Sequence, residues 1–231
     1  MRYLFLIYYS LVEKYIHFKR IEIFLKNNAT FKKPVIFDVG AYKGDTVKLF
    51  SKIFNQAKIF CFEPNFNSFK ILLKLKSNRI NTFNYALGNK NQLRRMNLSS
   101  IDMTYSLSTL NKNSFYLKIK NFISNNKNKL KKSDRVRVIK LDNFCKKKRI
   151  KKIDIIKIDT EGHEYNVLLG SKKTLSNINY LIIEIQKHKM YKNYSIKKIE
   201  SILKKNNFVL IKTFKFPLMF FEDRVYKKIN K

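Results

Sequence analysis

The chain has 231 residues, 45% of them apolar, enough to fill one α/β core without a second. Two cysteines, Cys61 and Cys145, exclude a disulfide framework and give no metal-binding spacing, which reads as free thiols in a reducing, cytoplasmic setting. The formal charge of +34 is extreme and brings nucleic acid or an anionic membrane surface into view as partners. Lys, Asn, Ile, Phe and Tyr are nevertheless all abundant while Gly (5), Pro (3) and Trp (0) are scarce, a pattern that an AT-rich genome produces without selection for binding. Residues 112–152 carry 16 Lys and Arg against Asp134 and Asp142, so much of the excess falls in one stretch. Genome composition plus a solvated insertion is the first explanation, and a nucleic-acid surface is the alternative.

Arg2 through Val12 are apolar and aromatic, but Glu13 and Lys14 end the run well short of the roughly 20 residues that span a bilayer, and no small-residue cleavage site follows. Leu4, Ile7, Tyr8, Leu11, Tyr15 and Phe18 recur at helical spacing, which predicts a helical extension over 1–33 packed on the core. A helix lying on a membrane, with basic residues drawing lipid headgroups, is the alternative. From residue 34 apolar runs and helical patterns alternate, as in a parallel sheet with crossover helices. Strand 35–39 leads to a helix carrying Val47, Phe50, Ile53 and Phe54, and strand 58–63 to one carrying Phe69, Leu72, Leu73 and Leu75. A third strand is expected from Thr82 to Ala86. Residues 89–133 break the rhythm as a basic insertion, with an extra strand at 93–98 and a Lys- and Asn-rich stretch from Asn111 to Lys132. Strand 135–140, a short helix and the strongest buried strand, 153–158, follow. Next come a helix with Val167, Leu168 and Leu169, strand 180–185, a helix begun by Ser195, and two late strands at 208–214 and 219–227.

The segment Asp38-Val39-Gly40-Ala41-Tyr42-Lys43-Gly44-Asp45 joins the first strand to a helix beginning near Asp45 or Thr46. Two glycines four apart let backbone approach a ligand without a Cβ in the way, and the helix start aims free amides at the same spot. Nineteen residues past Gly44, the run 59–62 ends in Glu63-Pro64, a carboxylate where doubly wound folds grip a ribose hydroxyl pair. The dinucleotide pattern G-x-G-x-x-G fails at Tyr42, which would crowd a pyrophosphate and disfavours a dehydrogenase.

An acid two residues before the first glycine resembles motif I of the class I methyltransferases that use S-adenosylmethionine. Ile153-Asp154-Ile155-Ile156-Lys157-Ile158-Asp159-Thr160-Glu161-Gly162-His163-Glu164 resembles the KIDxEGxE signature of the FkbM-type methyltransferase family. Phe62-Glu63-Pro64-Asn65, Ala86-Leu87-Gly88 and Leu181-Ile182-Ile183-Glu184 match it in order, so the resemblance covers residues 34–190. It departs at Tyr42, where the family often carries Asn. The resemblance implies an α/β, Rossmann-like class I methyltransferase fold: a mostly parallel seven-stranded sheet with a late antiparallel strand and helices on both faces. It implies S-adenosylmethionine bound by Asp38, Gly40, Ala41, Tyr42, Gly44 and Glu63, with adenine beside Tyr85-Ala86-Leu87-Gly88. It also implies an oxygen acceptor on a glycan, a polyketide sugar or a similar metabolite.

Methyl transfer from a sulfonium is an in-line displacement in which an acceptor hydroxyl must lose a proton. Strand-end groups supply candidates: Asp159, Glu161, His163 and Glu184, with Glu164 and His188 beside them. The acids at 159 and 161 follow a buried strand, where desolvation and mutual repulsion are expected to raise one pKa, and Lys157 is placed to reach them from the same strand. Dipole-complementing charge is the alternative for Glu161 and Glu164, and an exposed loop position for His188. A divalent ion is a further option for these carboxylates, but no spacing singles out metal ligands. Asp159-Thr160-Glu161-Gly162 stands where enzymes that methylate amino groups carry Asn/Asp-Pro-Pro-Tyr, which favours oxygen over nitrogen. The expectation is a cytoplasmic O-methyltransferase for a saccharide or glycoconjugate. The alternatives are an RNA methyltransferase using the basic insertion and a non-catalytic module binding polyanions or membranes on the same fold.

Overall fold

The computed structural model describes residues 11–98, 105–111, 113–114, 135–187, 189–216 and 221–229. A π-helical turn, Val12–His17, runs into helix α1 (Phe18–Asn28). The buried face is not the predicted stripe: Leu11 and Tyr15 are 50% and 64% exposed, whereas Val12, His17, Ile21 and Leu25 are buried. A π turn adds one residue to the helical repeat, so the inward face steps five residues from Val12 to His17 before resuming four-residue steps. Leu4, Ile7 and Tyr8 lie outside the described residues. Among the described residues no helix is long and apolar enough to cross a membrane.

The first βα units are β1 (Val35–Val39), α2 (Asp45–Ile53), β2 (Lys58–Phe62), α3 (Phe66–Leu72) and β3 (Ile80–Phe83). Short strands β4 (Ala86–Leu87), β5 (Gln92–Arg95), β6 (Asn97–Leu98) and β7 (Tyr105–Ser106) follow, then β8 (Arg135–Ile139) and α4 (Leu141–Lys148). The chain continues through β9 (Ile153–Ile158), α5 (Glu164–Leu169), β10 (Ile178–Gln186), α6 (Ile196–Lys205), β11 (Phe208–Lys215) and β12 (Phe221–Lys228). Seven strands form one sheet in the order β11-β12-β10-β9-β1-β2-β3. From β3 across to β10 the neighbours are parallel, and β12 runs antiparallel to both β10 and β11.

Each face of this sheet is covered, which is why β9 is buried along its whole length. On one face Phe37, Phe62, Ile156 and Ile183 pack against Phe144, Leu168 and Ile199 of α4, α5 and α6. On the other, Ile36, Ile59, Ile155, Ile182 and Val225 meet Leu25 of α1 and Val47 and Phe50 of α2. Buried Glu22 pairs with Lys26 of its own helix at 2.9 Å and ties the two helices together through Lys52 at 3.0 Å. Ser195 caps α6 as expected, its side chain accepting from the Lys198 amide.

The third strand differs from its predicted span. It ends at Phe83, because the Asn84 side chain turns to donate to the carbonyls of Glu63 and Pro64 at 2.8 and 3.1 Å. Ala86 and Leu87 instead join β8 and β5 in a separate three-stranded sheet. The strand expected at 93–98 is split into β5 and β6, and residues 115–133 of the insertion lie outside the described residues.

Leu25 is fully buried beneath the sheet, so Leu25→Ala is expected to cost about 2–5 kcal/mol in urea unfolding. A cost under about 0.5 kcal/mol would mean that the N-terminal helix does not pack there in solution.

Candidate active site

The β1–α2 turn is built on three left-handed residues, Gly40 (φ 88), Tyr42 (φ 46) and Gly44 (φ 92). Gly40 and Ala41 both donate to the Phe62 carbonyl at 2.9 and 3.0 Å, and Gly44 caps α2. Asn tolerates positive φ better than Tyr, which gives a physical sense to the residue at which the sequence departs from the family pattern. The protein itself demands glycine at both ends of this turn. A Cβ at Gly40 would lie 1.7 Å from the Asp159 carbonyl oxygen, and one at Gly44 2.4 Å from a Leu75 methyl. Glu63, 6% exposed, locks the turn: its carboxylate accepts from the Tyr42 amide at 2.9 Å and the Asn65 amide at 2.7 Å. Burial pushes its pKa up to about 7 against those two bonds.

Across the same sheet end runs a row of charge. Asp38 of β1 is in register with Lys157 of β9, and Glu184 of β10 with Asp223 of β12. Lys157 is buried and holds Asp159 at 2.6 Å. Burial works against its ammonium, but the carboxylates of Asp159, Asp223, Asp38 and Glu184 outweigh burial and raise its pKa above the ordinary lysine value. Asp38 is completely buried, and neither of its oxygens has a hydrogen-bond partner among the described residues. Burial raises it to about 7 although Lys157 pulls the other way. Glu184 accepts from the Gln186 side-chain Nε2 and is pushed up by burial and by Asp159, Glu161 and Asp223. Of the acids on this edge, the strong upward push thus includes Glu184, which lies two strands beyond Asp38.

After β9 the loop is set by Glu164, which accepts from the amides of Thr160 and Gly162, each at 3.0 Å, and from the Thr160 hydroxyl at 3.1 Å. Glu164 is therefore an internal organiser of the loop. Glu161 (φ 52) is turned so that Tyr191 donates its phenol to the carboxylate, and a Cβ on Gly162 would strike the Tyr191 ring at 2.4 Å. Ser106 and Ser108 donate to the carbonyls of Glu161 and Gly162, so the described end of the insertion straps this loop down. His163 is 3% exposed; burial first, and the Arg94 charge second, lower its pKa to about 4.

One cleft brings together most of the sequence-derived candidates. Gly40, Ala41, Tyr42, Glu63 and Ala86 line one part of it, and Asp159, Glu161, His163 and Glu184 another. Asp38 and Gly44 are not on its surface, and His188 lies outside the described residues. Sequence reasoning missed His17 and Phe18 on the N-terminal helix, Phe221 and Asp223 on β12, and Met96 and Leu107 on the insertion. One signal was present: alternation along β12 puts Asp223 on the same buried face as Val225. Among the described residues no group of three or more His, Cys, Asp or Glu converges where one ion could be held.

The cleft is acidic inside a strongly basic chain and sits at the carboxyl ends of parallel strands, beside the glycine turn. The fold is that of the Rossmann-like class I methyltransferases. The METTL16 MTase domain superposes with a TM-score of 0.54 at 10% identity, covering 95% of this chain and 69% of that one, and so supports the fold alone. The methyltransferase FkbM domain matches residues 38–210, and the chain belongs to that family. The 2-O-methyltransferase NoeI of Sinorhizobium fredii is 26% identical over 171 residues, 68% of this chain and 65% of NoeI. The hexuronic acid methyltransferase AglP of Haloferax volcanii is 29% identical over 152 residues, 65% of this chain and 55% of AglP. The chain thus spans less than two thirds of the length of either relative.

Because a Cβ at Gly40 meets backbone, Gly40→Ala is expected to destabilise the ligand-free protein by more than about 2 kcal/mol. Unchanged ligand-free stability, with only ligand affinity lost, would return the glycine to a clearance role.

Proposed function

We propose that this chain is an S-adenosylmethionine-dependent O-methyltransferase whose acceptor is a hydroxyl of a saccharide or glycoconjugate. The observation that carries this reading is that the Gly40–Gly44 turn and Glu63 share one cleft with the carboxylate edge formed by Asp159, Glu161 and Glu184. A sulfonium and an α-ammonium are cations, and carboxylates at close range in a low-dielectric cleft attract them. Asp38, Gly40, Ala41, Tyr42, Gly44 and Glu63 form the cofactor side, with adenine toward Ala86 and Tyr85. Asp38 and Gly44 act from behind the surface, by charge and by holding the turn. Asp159, Glu161, His163 and Glu184 form the edge where acceptor and methyl group meet. The names of the relatives, one a 2-O-methyltransferase and one a hexuronic acid methyltransferase, support a sugar acceptor. The same carboxylates repel phosphates, which weighs against an RNA backbone at this mouth despite the net charge of +34.

Methyl-labelled cofactor offered with separate pools of cell-surface glycan and RNA tests the proposal. Label is expected in the glycan pool. Label in RNA alone, with binding that falls steeply with salt, would replace the saccharide reading with the RNA one. On the cofactor side, Glu63→Ala is expected to weaken S-adenosylhomocysteine binding by roughly ten- to a hundredfold in calorimetry, since charge-assisted hydrogen bonds contribute about 1.5–3 kcal/mol. Unchanged affinity would sink the ribose assignment.

A further inference from the structure

The π turn that carries Val12 and His17 inward leaves other apolar side chains facing out. Leu11, Tyr15, Ile16 and Ile23 are 50%, 64%, 49% and 50% exposed. They are four of the twelve large hydrophobic residues exposed among the described residues, and all fall between positions 11 and 23. Apolar residues exposed singly are ordinary, whereas a cluster on one element marks a surface that meets a partner. The inner side of the same element is anchored: Val12 packs with Phe216 and Phe221, and Ile21 and Leu25 pack beneath the sheet. Ile16 and Ile23 are seven residues apart, two helical turns, so they share the outer side, and Lys19, Arg20 and Lys26 stand exposed among them. Lys19, Lys26 and, from α2, Lys52 all pair with the one buried carboxylate of Glu22, at 3.6, 2.9 and 3.0 Å. Cations around this face therefore outnumber the acid that holds them. The composition beside the face continues its character. Tyr3 through Tyr9 are all apolar or aromatic, and the connection between β11 and β12, Pro217-Leu218-Met219-Phe220, carries no charge. Its two flanking residues, Phe216 and Phe221, are the ones that hold Val12.

We infer that the outer face of the N-terminal turn and helix, centred on Ile16 and Ile23, docks the protein on an anionic phospholipid surface. An apolar strip between basic residues is the pattern of a helix lying in the plane of a bilayer, with isoleucines entering the headgroup boundary and ammonium groups reaching the headgroup phosphates. Tyr15 suits the same boundary, since its ring is apolar and its hydroxyl polar. With 11 residues against the roughly 20 of a membrane span, α1 lies on the bilayer and does not cross it. A second copy of the chain fits the face less well, because it would set two groups of cations against each other. Nucleic acid has no use for the isoleucines, since phosphate contacts are made by cations and polar groups. His17 and Phe18 of the same element line the cleft, so the element that docks is also part of the cleft wall.

The test uses the full chain and flotation with vesicles of phosphatidylcholine mixed with phosphatidylglycerol, pure phosphatidylcholine serving as the neutral control. Wild type is expected to float with the anionic vesicles, far less with the neutral ones, and to be released as salt rises. Ile16→Ser combined with Ile23→Ser changes two half-exposed positions outside the cleft. That variant is expected to keep the wild-type melting temperature and to bind anionic vesicles about tenfold or more weakly. The chain has no tryptophan, so Tyr15→Trp supplies a single reporter that does not depend on the folding of the double variant. Its emission is expected to shift to the blue when anionic vesicles are added. No flotation, or flotation in which the double variant matches wild type, overturns the inference, as does an emission that stays put while the protein floats. Emission already blue without vesicles and unmoved by them assigns the face to the chain's own first ten residues. A wild-type dimer in light scattering that the double variant loses, without flotation, assigns it to a second copy. None of these readings depends on the reaction in the cleft, so the methyltransferase reading stands or falls separately.

Discussion

The ammonium of Lys157 is the interaction on which the site depends. A lone charge near the carboxyl end of a fully covered strand is untenable, and so are the carboxylates of Asp38, Glu184 and Asp223 on the neighbouring strands of the same face. Each is made tolerable by the others. Their mutual placement follows from sheet register: the carboxyl ends of β1, β9 and β10 meet the start of antiparallel β12, with Asp38 opposite Lys157 and Glu184 opposite Asp223. The result is a buried, charged floor with Asp159 ion-paired to it and the cleft opening over that pair.

Two consequences follow for recognition. The chain's surplus of basic residues lies elsewhere, so net charge describes how the protein meets its surroundings, not what the cleft selects. And the cleft is built by close backbone packing as much as by side chains: the end of β1 passes so near the Asp159 carbonyl that only glycine fits at position 40. Glu63 closes the same turn from β2 by holding the Tyr42 amide. The turn is thus held by the protein's own contacts, and a turn held in place lowers the cost of binding a ligand.

Much of this was legible in the sequence because its signals are local. The strand, glycine turn and helix at 35–53 are contiguous, and so are the fully buried strand at 153–158 and the acids that follow it. Ser195 announced its helix in the same way. What was not legible depended on distant partners. The third strand ended early because Asn84 found the carbonyls of Glu63 and Pro64 some twenty residues back. The helical stripe through Leu11 and Tyr15 was out of phase because a π turn cannot be read from apolar spacing at 3.6. The His17–Asp223 contact spans nearly the whole chain, and neither residue stands in a motif. The structural demand for glycine at position 40 was hidden for the same reason: the atom that a Cβ would meet belongs to residue 159.

The claim that Lys157 makes the buried carboxylates tolerable is tested most directly by urea unfolding of Lys157→Met against wild type at pH 5 and pH 8. Asp38 is already raised to about 7 and Glu184 is raised too; without the ammonium both rise further. A carboxyl whose folded pKa exceeds its unfolded value near 4 contributes stability that is complete below that value and is lost as pH climbs through the folded one. Asp223, which Lys157 holds below its ordinary value, loses that partner at both pH values, so the variant should be somewhat less stable than wild type at pH 5 and clearly worse at pH 8, where the deficit reaches about 3–5 kcal/mol, the cost of breaking a buried pair. A deficit of equal size at both pH values would show that Lys157 matters for packing and that the charged row does not depend on it.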